Sequence, residues 1–459
     1  MTAKTISRYL DRYAEPIVIT IQNEWLATLR QTYQFVLAIP LFDEPLNCLE
    51  SILPKTMSNT LIIAVVNASV DADKAATRRT QAFLAQFNPH PEVSFTVVEQ
   101  RSGNTLLLID CCTRTRQLPH KQGVGLARKI GGDIALACIA AQKVSIPWVH
   151  CTDGDVKLPD DYFHTSDLGS DVAVAIYPFC HHPQHSGIIQ YEISLRYYVL
   201  GLSQAASPYA FQTIGSLLKI NAEHYAKVRG FPKRQAAEDF YMLNKLAKTG
   251  KVVRLRGPAV TLSSRLSHRV PFGTGAAMVK LARDPIIKLY HPQIFLELQR
   301  WLKLDRLLWN EFHTKTWTKK KMQLHDWGQK QGLSHSLLQT LRHLQVEQAL
   351  EQAFQQCHDL EHFQFFMRVW FDAFRTLKFV HYQREHYWPS LPIPEAISFL
   401  SGSELRYLPE PISTAFTVNK LKLLASSPEF LTILEILRNA ELNLSVEIGP
   451  TLCLVSSQN

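Results

Sequence analysis

The sequence predicts an α/β layered domain, built on a mixed, mostly parallel sheet flanked by helices and followed by a mostly helical C-terminal domain. Up to about residue 284, short runs of β-branched and aromatic residues alternate with segments of helical composition, which is typical of parallel sheets. From about residue 285 onward, Leu, Phe and Trp recur at helical spacing instead. With 459 residues the chain is also too long for one ordinary core, so two or three domains are expected.

The individual elements follow in chain order. Residues 1–30 have the pattern of an amphipathic helical lead-in. In the domain expected over residues 31–284, apolar runs indicate strands at 35–40, 60–66, 93–98, 144–149 and 259–262, and helices at 74–86 and 126–142. In the domain expected over residues 285–459, prolines between 389 and 411 indicate a linker or extended crossing, and residues 431–442 form a last helix.

Composition narrows the class of protein. An apolar fraction of 46% and a charged fraction of 19% are typical of folded chains, and no run approaches the roughly 18 apolar residues of a membrane span. The N-terminus lacks the cationic stretch followed by an apolar stretch that is typical of a signal peptide. The eight cysteines show no Cys-x-x-Cys spacing of the kind that binds metal. A cytoplasmic protein with reduced thiols is therefore expected. The net charge of +9 suits an anionic substrate, an anionic lipid surface or nucleic acid, which leaves a peripheral position at the inner membrane surface open.

Two carboxylates, Asp153 and Asp155, lie one residue apart shortly after the strand expected at 144–149. Like charges this close repel each other, unless a hard cation or the hydroxyl groups of a ligand share the site. A turn rich in Asp and Gly is the alternative for an isolated pair of this kind. The position of the pair after a strand favours a ligand site over a simple turn, because ligands bind parallel sheets at the carboxyl ends of the strands. Glu44 and Asn67 also follow strand ends, so the four side chains are expected to converge.

Five motifs occur in an order and spacing that resemble one family of enzymes. They are Ile39-Pro40-Leu41-Phe42-Asp43-Glu44, Val66-Asn67-Ala68-Ser69, the run from Gly123 to Gly131, Asp153-Gly154-Asp155 and Ala237-Glu238-Asp239. Together they resemble the family 2-type glycosyltransferases, whose GT-A fold is a Rossmann-like α/β domain, over residues 33–275. The resemblance implies metal-dependent, hexosyltransferase-like transfer of a sugar from a nucleoside-diphosphate sugar to an acceptor hydroxyl. Asn67 replaces the more usual Asp, which leaves the base of the donor open, and Lys129 stands where Asn is common.

The resemblance also implies a role for individual residues. The residues implied to bind the donor are Pro40, Glu44, Asn67, Arg128 and Asp153. Those implied to hold a divalent metal, Mn²⁺ or Mg²⁺, are Asp155, Asp153 and His268. The chemistry of the side chains agrees with both assignments, since carboxylate oxygens suit hard cations and a guanidinium near a helix start suits phosphate.

Asp239 and Glu238 are the expected catalytic residues. In inverting members of the family, a carboxylate at the position of Asp239 takes the proton of the acceptor hydroxyl; in a retaining enzyme it orients the acceptor. Acidic residues that complement a helix dipole are the alternative interpretation. Farther along the chain, Arg265 and Arg269 are expected to contact phosphate or an anionic acceptor, and Gly215 is expected to allow close packing on a sugar.

Two other functions remain open from the sequence. A nucleotidyltransferase uses a similar sheet and carboxylates, but no Gly-rich triphosphate loop follows the first strand. A non-catalytic sugar- or nucleotide-binding protein has no need of both Asp155 and Asp239. The expected partners are a UDP- or GDP-linked sugar and a small-molecule, glycan or lipid-linked acceptor, with no nucleic acid.

The C-terminal domain contains one metal-like pattern, His358-x-x-Glu361-His362, which matches the His-x-x-Glu-His motif of zinc proteases. Two His side chains four residues apart on a helix can share a metal. Helices rich in His and acidic residues give such matches readily, and no third ligand is evident in the sequence. The motif is therefore interpreted as an ordinary helix surface and not as a zinc site.

Overall fold

The structure is a computed structural model, and it describes residues 2–164, 168–182, 186–267, 269, 273–284, 286–313, 324–402, 428–444 and 447–448. The chain divides into two compact units: unit 1 comprises Met1–His182 and Thr213–Ala276, and unit 2 comprises Pro183–Gln212 and Ala277–Asn459. This division differs from the domain bounds expected from the sequence. Residues 183–212 and 277–284 belong to unit 2, and the lead-in over residues 1–30 belongs to unit 1.

The strands of unit 1 are short and mostly buried. They are β1 (Phe35–Leu41), β2 (Thr60–Asn67), β3 (Phe95–Glu99), β4 (Thr105–Cys111), β5 (Trp148–Cys151), β6 (Val172–Ile176), β7 (Phe179–His181), β8 (Leu218–Asn221), β9 (Lys251–Arg254) and β10 (Val260–Leu262). Eight of them lie in one sheet, in the order β9-β6-β8-β5-β1-β2-β4-β3, and β7 pairs with β10 in parallel. In the sheet, β3 and β8 run against the other six strands.

Helices flank this sheet. They are α1 (Thr2–Arg12), α2 (Ile17–Ile21, continued by a π-helical turn over Gln22–Leu26), α3 (Cys48–Ile52), α4 (Lys74–Ala85), α5 (Gly123–Ala140) and, after the chain has formed α6 (Ser186–Gln204) in unit 2, α7 (Ala222–Lys227) and α8 (Glu238–Leu246). Helix α5 packs on β1 and β2, where a Cβ on Gly131 would lie only 3.1 Å from the Cβ of Ala38. A mixed, mostly parallel sheet flanked by helices confirms the predicted fold class and is consistent with a GT-A-like layout.

Strand β4 has no counterpart among the strands expected from the sequence. It lies between β2 and β3, and all seven of its residues are buried. A strand buried on both faces shows no alternation of apolar and polar residues. Its Leu-Leu-Leu-Ile run also has a composition that suits a helix as well as a strand, so periodicity alone does not identify it.

The N-terminal helix is fastened to α5 by a buried polar group around Lys129. The ammonium of Lys129 donates to the Tyr9 hydroxyl at 2.6 Å and to Asp133 Oδ2 at 2.9 Å. The hydroxyls of Tyr9 and Tyr225 both donate to Asp133 Oδ1, at 2.5 and 2.8 Å. Lys129 therefore has structural partners in the N-terminal lead-in and in α5.

Unit 2 is mostly helical, as the sequence predicts. Its helices are α6, α9 (Thr274–Arg283), α10 (Pro292–Leu302), α11 (Asp305–Phe312), α12 (Leu324–Lys330), α13 (His335–His343), α14 (Val346–Gln356), α15 (Leu360–Trp370), α16 (Ala373–His386), α17 (Ile393–Gly402) and α18 (Pro428–Leu442), with short strands β11 (Lys288–Leu289), β12 (Leu391–Pro392) and β13 (Glu447–Ile448). Helix α17 occupies residues that the sequence was expected to use as a linker. Its Pro394 lies in the first turn, where a proline loses no backbone hydrogen bond, so this proline does not prevent a helix. None of the helices in the described ranges combines the length and apolar character needed to cross a membrane.

A buried ion network ties α18 to α6 within unit 2. Arg196 donates to Glu192 Oε1 at 2.7 Å and to Glu441 Oε2 at 2.6 Å. Arg438 donates to both oxygens of Glu192, and Gln212 donates to Glu441 at 3.0 Å. The carboxylates of Glu192 and Glu441 are 1% and 9% exposed, so both acceptors of Arg196 are buried, while the side chain of Arg438 is 31% exposed.

Candidate active site at the sheet edge of unit 1

Several loops of unit 1 meet at one edge of the sheet. Strands β1 and β5 are parallel neighbours with Ala38 opposite Cys151, so the loops that leave them start side by side. Those loops carry Glu44 and the Asp153–Asp155 pair. Strand β8 runs antiparallel to β5 with Leu218 opposite Cys151, so the residues that precede β8, Gly215 among them, reach the same edge.

Arg128 lies at the centre of a partly buried group that we call the Arg128 cluster: Arg128, Asp153, Gly215, Glu238 and Asp239. The guanidinium donates from Nε to Glu238 Oε1 at 2.9 Å, from Nη1 to the Gly215 carbonyl at 3.2 Å, and from Nη2 to Asp153 Oδ1 at 2.5 Å. Its side chain is 5% exposed. The guanidinium is thus engaged by protein acceptors, which differs from the predicted contact with a donor phosphate.

Asp239 accepts two backbone hydrogen bonds. The N–H of Gly215 donates to Oδ2 at 3.0 Å, and the N–H of Phe240 donates to Oδ1 at 2.7 Å. Helix α8 begins at Glu238, and the preceding Ala237 has a φ of 60°, a left-handed conformation that costs a non-glycine residue about 1–2 kcal/mol. The start of α8 is therefore held in an unfavourable backbone geometry that presents Asp239 to the Gly215 peptide.

Burial raises the pKa of both acidic residues of α8. The pKa of Glu238 rises to about 7, through burial and then through the charge of Asp239, while Arg128 opposes the rise. Burial also raises the pKa of Asp239 against the attraction of Arg128. Burial lowers the pKa of Arg128, but the carboxylates of Asp153 and Glu238 outweigh it and raise that pKa overall. A cleft carboxylate with a raised pKa is a candidate for proton transfer.

A second group, which we call the Arg265 cluster, consists of Glu44, Asp155, Arg265 and Arg269. Arg265 binds Glu44 with two parallel hydrogen bonds of 2.7 and 2.5 Å, and its Nε lies 3.0 Å from Asp155 Oδ2. Arg269 donates to Glu44 Oε1 at 2.7 Å and to the Phe42 carbonyl at 2.5 Å. Two guanidinium groups are thus gathered over two carboxylates beside the Asp153–Asp155 loop.

The two clusters adjoin each other through Gly154. A Cβ on Gly154 would lie 2.7 Å from the Leu41 side chain and 2.8 Å from Cγ of Glu44, so a larger residue does not fit there. Asp43, directly before Glu44, has a φ of 56°, a second left-handed non-glycine residue at this edge. Such strained positions concentrate at functional sites.

The residues of the Asp153–Asp155 loop are chemically suited to a divalent metal. Carboxylate oxygens are the ligands that Mg²⁺ and Mn²⁺ prefer. Burial raises the pKa of Asp155 to about 6; Arg265 and Arg269 oppose the rise, and Asp153 and Glu44 add to it. A bound cation would favour the charged form of Asp155 and so oppose this rise. Within the described ranges no group of three or more His, Cys, Asp or Glu side chains is arranged to hold a metal, and the predicted ligand His268 lies outside those ranges.

The remaining predicted residues lie at the same edge. Pro40 is buried within β1. Asn67 ends β2, and its amide nitrogen donates to the carbonyls of Leu41 and Val65, both at 3.1 Å. Asn67 therefore fixes the end of β1 with its N–H groups, while its predicted contact with the donor base stays a prediction.

The sequence named the members of both clusters but not their pairings. The Arg–carboxylate contacts join motifs far apart in the chain, such as Glu44 with Arg265, and the left-handed Ala237 gives no sequence signal because alanine rarely adopts that conformation. One signal was available, since the predicted site residues include both arginines and carboxylates, which pair when a fold buries them together.

Comparisons with known proteins find structural likeness that is distant. No family model and no curated protein matches the chain. Among solved structures, the chain is similar to S. aureus TarS residues 1–349 in complex with UDP-GlcNAc, with 11% sequence identity over 72% of this chain and 89% of that chain and a TM-score of 0.32. A TM-score this low does not allow residue roles to be transferred between the two chains.

Proposed function

We propose that this protein is a glycosyltransferase that moves a sugar from a UDP- or GDP-linked donor to an acceptor hydroxyl. The Arg128 cluster carries the proposal. It joins Asp153, which follows a central parallel strand, to the Gly215 peptide that binds Asp239 at the start of α8. The proposal assigns the hydroxyl groups of the donor to Asp153 and the acceptor to Asp239, and the raised pKa of Asp239 supports its part as a base.

Asp239 is proposed to act on the acceptor. In the reaction the acceptor oxygen bonds to the anomeric carbon, the bond from that carbon to the diphosphate oxygen breaks, and the nucleoside diphosphate leaves with the electron pair. If the configuration inverts, the acceptor proton passes to Asp239, whose raised pKa makes it a stronger base than an ordinary Asp. If the configuration is retained, Asp239 orients the acceptor.

Arg265 and Arg269 are proposed to meet the charge of the diphosphate or of an anionic acceptor. Guanidinium groups bind phosphate oxygens with two parallel hydrogen bonds, the same geometry that Arg265 now makes with Glu44. Asp155 and Asp153 are the residues that would hold Mn²⁺ or Mg²⁺, which when bound neutralises charge on the leaving group as a Lewis acid.

The test is a panel of UDP- and GDP-linked sugars and nucleoside triphosphates, each measured by thermal shift with and without Mn²⁺. A ligand at 100 times its Kd stabilises the folded state by about 2.7 kcal/mol, which a thermal shift detects readily. We expect stabilisation by a nucleotide sugar, followed by release of its nucleoside diphosphate when acceptors are added. Stabilisation by triphosphates with release of pyrophosphate would identify a nucleotidyltransferase instead. Binding without turnover for any acceptor tested, water included, would favour a non-catalytic binding protein.

A matched pair of variants separates site from fold in this assay. Asp153→Asn removes a carboxylate of the proposed donor site, and Asp110→Asn makes the same change at the end of β4, where Asp110 accepts hydrogen bonds from its own loop. Donor binding should weaken in the first variant and persist in the second. Equal donor affinity in both would remove Asp153 from the site.

A further inference from the structure

The guanidinium of Arg128 is engaged through all three of its nitrogens by protein acceptors at the sheet edge. It donates to three acceptors on three separate elements: the loop after β5, the segment before β8 and the start of α8. Its side chain is 5% exposed, so a diphosphate does not reach it without breaking these bonds. The residue that sequence reasoning assigned to the donor is therefore placed to act on other protein groups.

The Gly215 peptide connects Arg128 to Asp239. Its carbonyl accepts from Arg128 Nη1 at 3.2 Å, and its N–H donates to Asp239 Oδ2 at 3.0 Å. A Cβ at position 215 would lie 2.6 Å from Arg128 Nη2, so only glycine lets the guanidinium pack against this peptide. Movement of the guanidinium would move the peptide that holds one oxygen of Asp239.

Comparison with the Arg196 network of unit 2 separates this arrangement from an ordinary buried ion pair. There, both carboxylates bound by Arg196 are buried, at 1% and 9% exposure, so Arg196 fixes no solvent-facing carboxylate. At the sheet edge, Arg128 is equally buried, but the side chain of Asp153 is 32% exposed. A buried cation that fixes a solvent-facing carboxylate has the layout of a support for a binding surface.

We propose that Arg128 is a positioning residue, which holds Asp153 directly and Asp239 through the Gly215 peptide in the geometry needed for transfer, with Glu238 orienting its guanidinium. This inference rests on the proposed function of the same site. A positioning role and a donor-binding role predict different changes in the kinetic constants. A positioning residue limits turnover at saturating donor, whereas a residue that only binds donor changes the donor KM.

Three variants test the proposal. Arg128→Lys keeps the charge but replaces a three-way fork by a single ammonium. Gly215→Ala keeps every charged group and displaces the guanidinium. Arg196→Lys, the matched control, makes the same conservative change in the buried network of unit 2. With the best donor from the panel, we expect kcat to fall at least tenfold in the first two variants and to stay within twofold of wild type, per folded molecule, in the control.

Two further readouts distinguish positioning from other roles. In an Asp239→Asn background, Gly215→Ala should reduce kcat by a smaller factor than it does in wild type, because the part of its effect that passes through Asp239 is already lost and only the part through Asp153 remains. Hydrogen exchange of the peptide that contains Gly215 should be faster in Arg128→Lys than in Arg196→Lys or wild type. This exchange needs no donor, so it still tests Arg128 if wild type binds nothing in the panel and the proposed function fails.

The contrary results are equally specific. A rise in donor KM with kcat intact in Arg128→Lys, and no effect of Gly215→Ala, would return Arg128 to a donor-binding role. The proposal would be overturned if the fold losses in kcat of Gly215→Ala and Asp239→Asn multiplied in full in the double variant. Hydrogen exchange at Gly215 that is unchanged in Arg128→Lys would overturn it as well. If Arg128→Lys does not fold, Gly215→Ala alone decides between these outcomes.

Discussion

Asp239→Asn is the substitution that most directly tests the proposed chemistry. Asn keeps the shape of the side chain and removes its charge and basicity. In the structure both carboxylate oxygens accept backbone hydrogen bonds, from Gly215 at 3.0 Å and from Phe240 at 2.7 Å. The amide nitrogen of Asn would have to face one of these N–H groups.

The effect on stability follows from two opposing changes. Leaving one backbone N–H without an acceptor costs about 1–3 kcal/mol. Against this, the pKa of Asp239 is raised by burial, so its charge destabilises the folded state and the neutral Asn relieves that cost. We expect the free energy of unfolding to change by no more than about 2 kcal/mol, and the protein to remain folded at 25 °C.

The effect on catalysis should be much larger. A positioned general base contributes about 100- to 10,000-fold to rate, so kcat in an inverting enzyme should fall by at least about 100-fold while the Kd of the donor is preserved. Donor Kd is measured by calorimetry, and turnover by release of nucleoside diphosphate. Asp110→Asn is the control, because Asp110 likewise accepts from two backbone N–H groups, those of Cys112 and Thr113, both at 3.0 Å. It should lose stability without losing kcat.

Two results would refute this reasoning. Unchanged kinetics in Asp239→Asn would show that Asp239 takes no part in the reaction. A weaker donor Kd with kcat preserved at saturation would make Asp239 a binding residue. A loss of less than about tenfold in kcat, with Kd intact, is the outcome expected of a retaining enzyme in which Asp239 only orients the acceptor.

Three further outcomes are expected. Because the pKa of Glu238 is raised from 4.5 to about 7, the folded state binds that proton more tightly than the unfolded chain, so stability measured by denaturation should rise as pH falls through this range. Protonation of Asp239, whose pKa burial also raises, should lower kcat/KM on the acidic side. Stability and activity that fall together would contradict this. Asp155→Ala should abolish the Mn²⁺-dependent part of donor binding and leave the fold intact; donor and Mn²⁺ binding equal to wild type would remove the metal assignment. The double variant His358→Ala, His362→Ala should keep its activity, since α15 begins at Leu360 and leaves His358 outside the helix; stoichiometric zinc lost together with activity would reverse that view.

The sequence predicted the class of fold because strands and helices leave a signal in short stretches of sequence. The runs at 35–40 and 60–66 match β1 and β2 within one residue, and the helices expected at 74–86 and 126–142 overlap α4 and α5. The prediction failed at elements whose short-range sequence pattern fits more than one structure. Strand β4 is buried on both faces and has no alternation, and α17 begins at prolines that resemble a linker.

The sequence did not predict the bounds of the two units, for a different reason. Residues 183–212 leave unit 1 and form α6 in unit 2, before the chain returns to β8. Composition changes gradually along a chain, whereas membership of a unit depends on which apolar faces pack together. The contact between Arg196 of α6 and Glu441 of α18, 245 residues apart in the chain, is evidence that only the tertiary structure supplies.

For the candidate site, the sequence by itself determined which residues gather at the carboxyl edge, because strand ends and motif order are written along the chain. Only the tertiary structure decided how they pair. Arg128, expected at a phosphate, is held by Asp153, Gly215 and Glu238, and Arg265 and Arg269 lie on Glu44 and Asp155. The physical reason is that a charge buried at a sheet edge takes as its partner whichever opposite charge the fold brings nearest, and the distance between motifs in space is not encoded in their spacing in sequence.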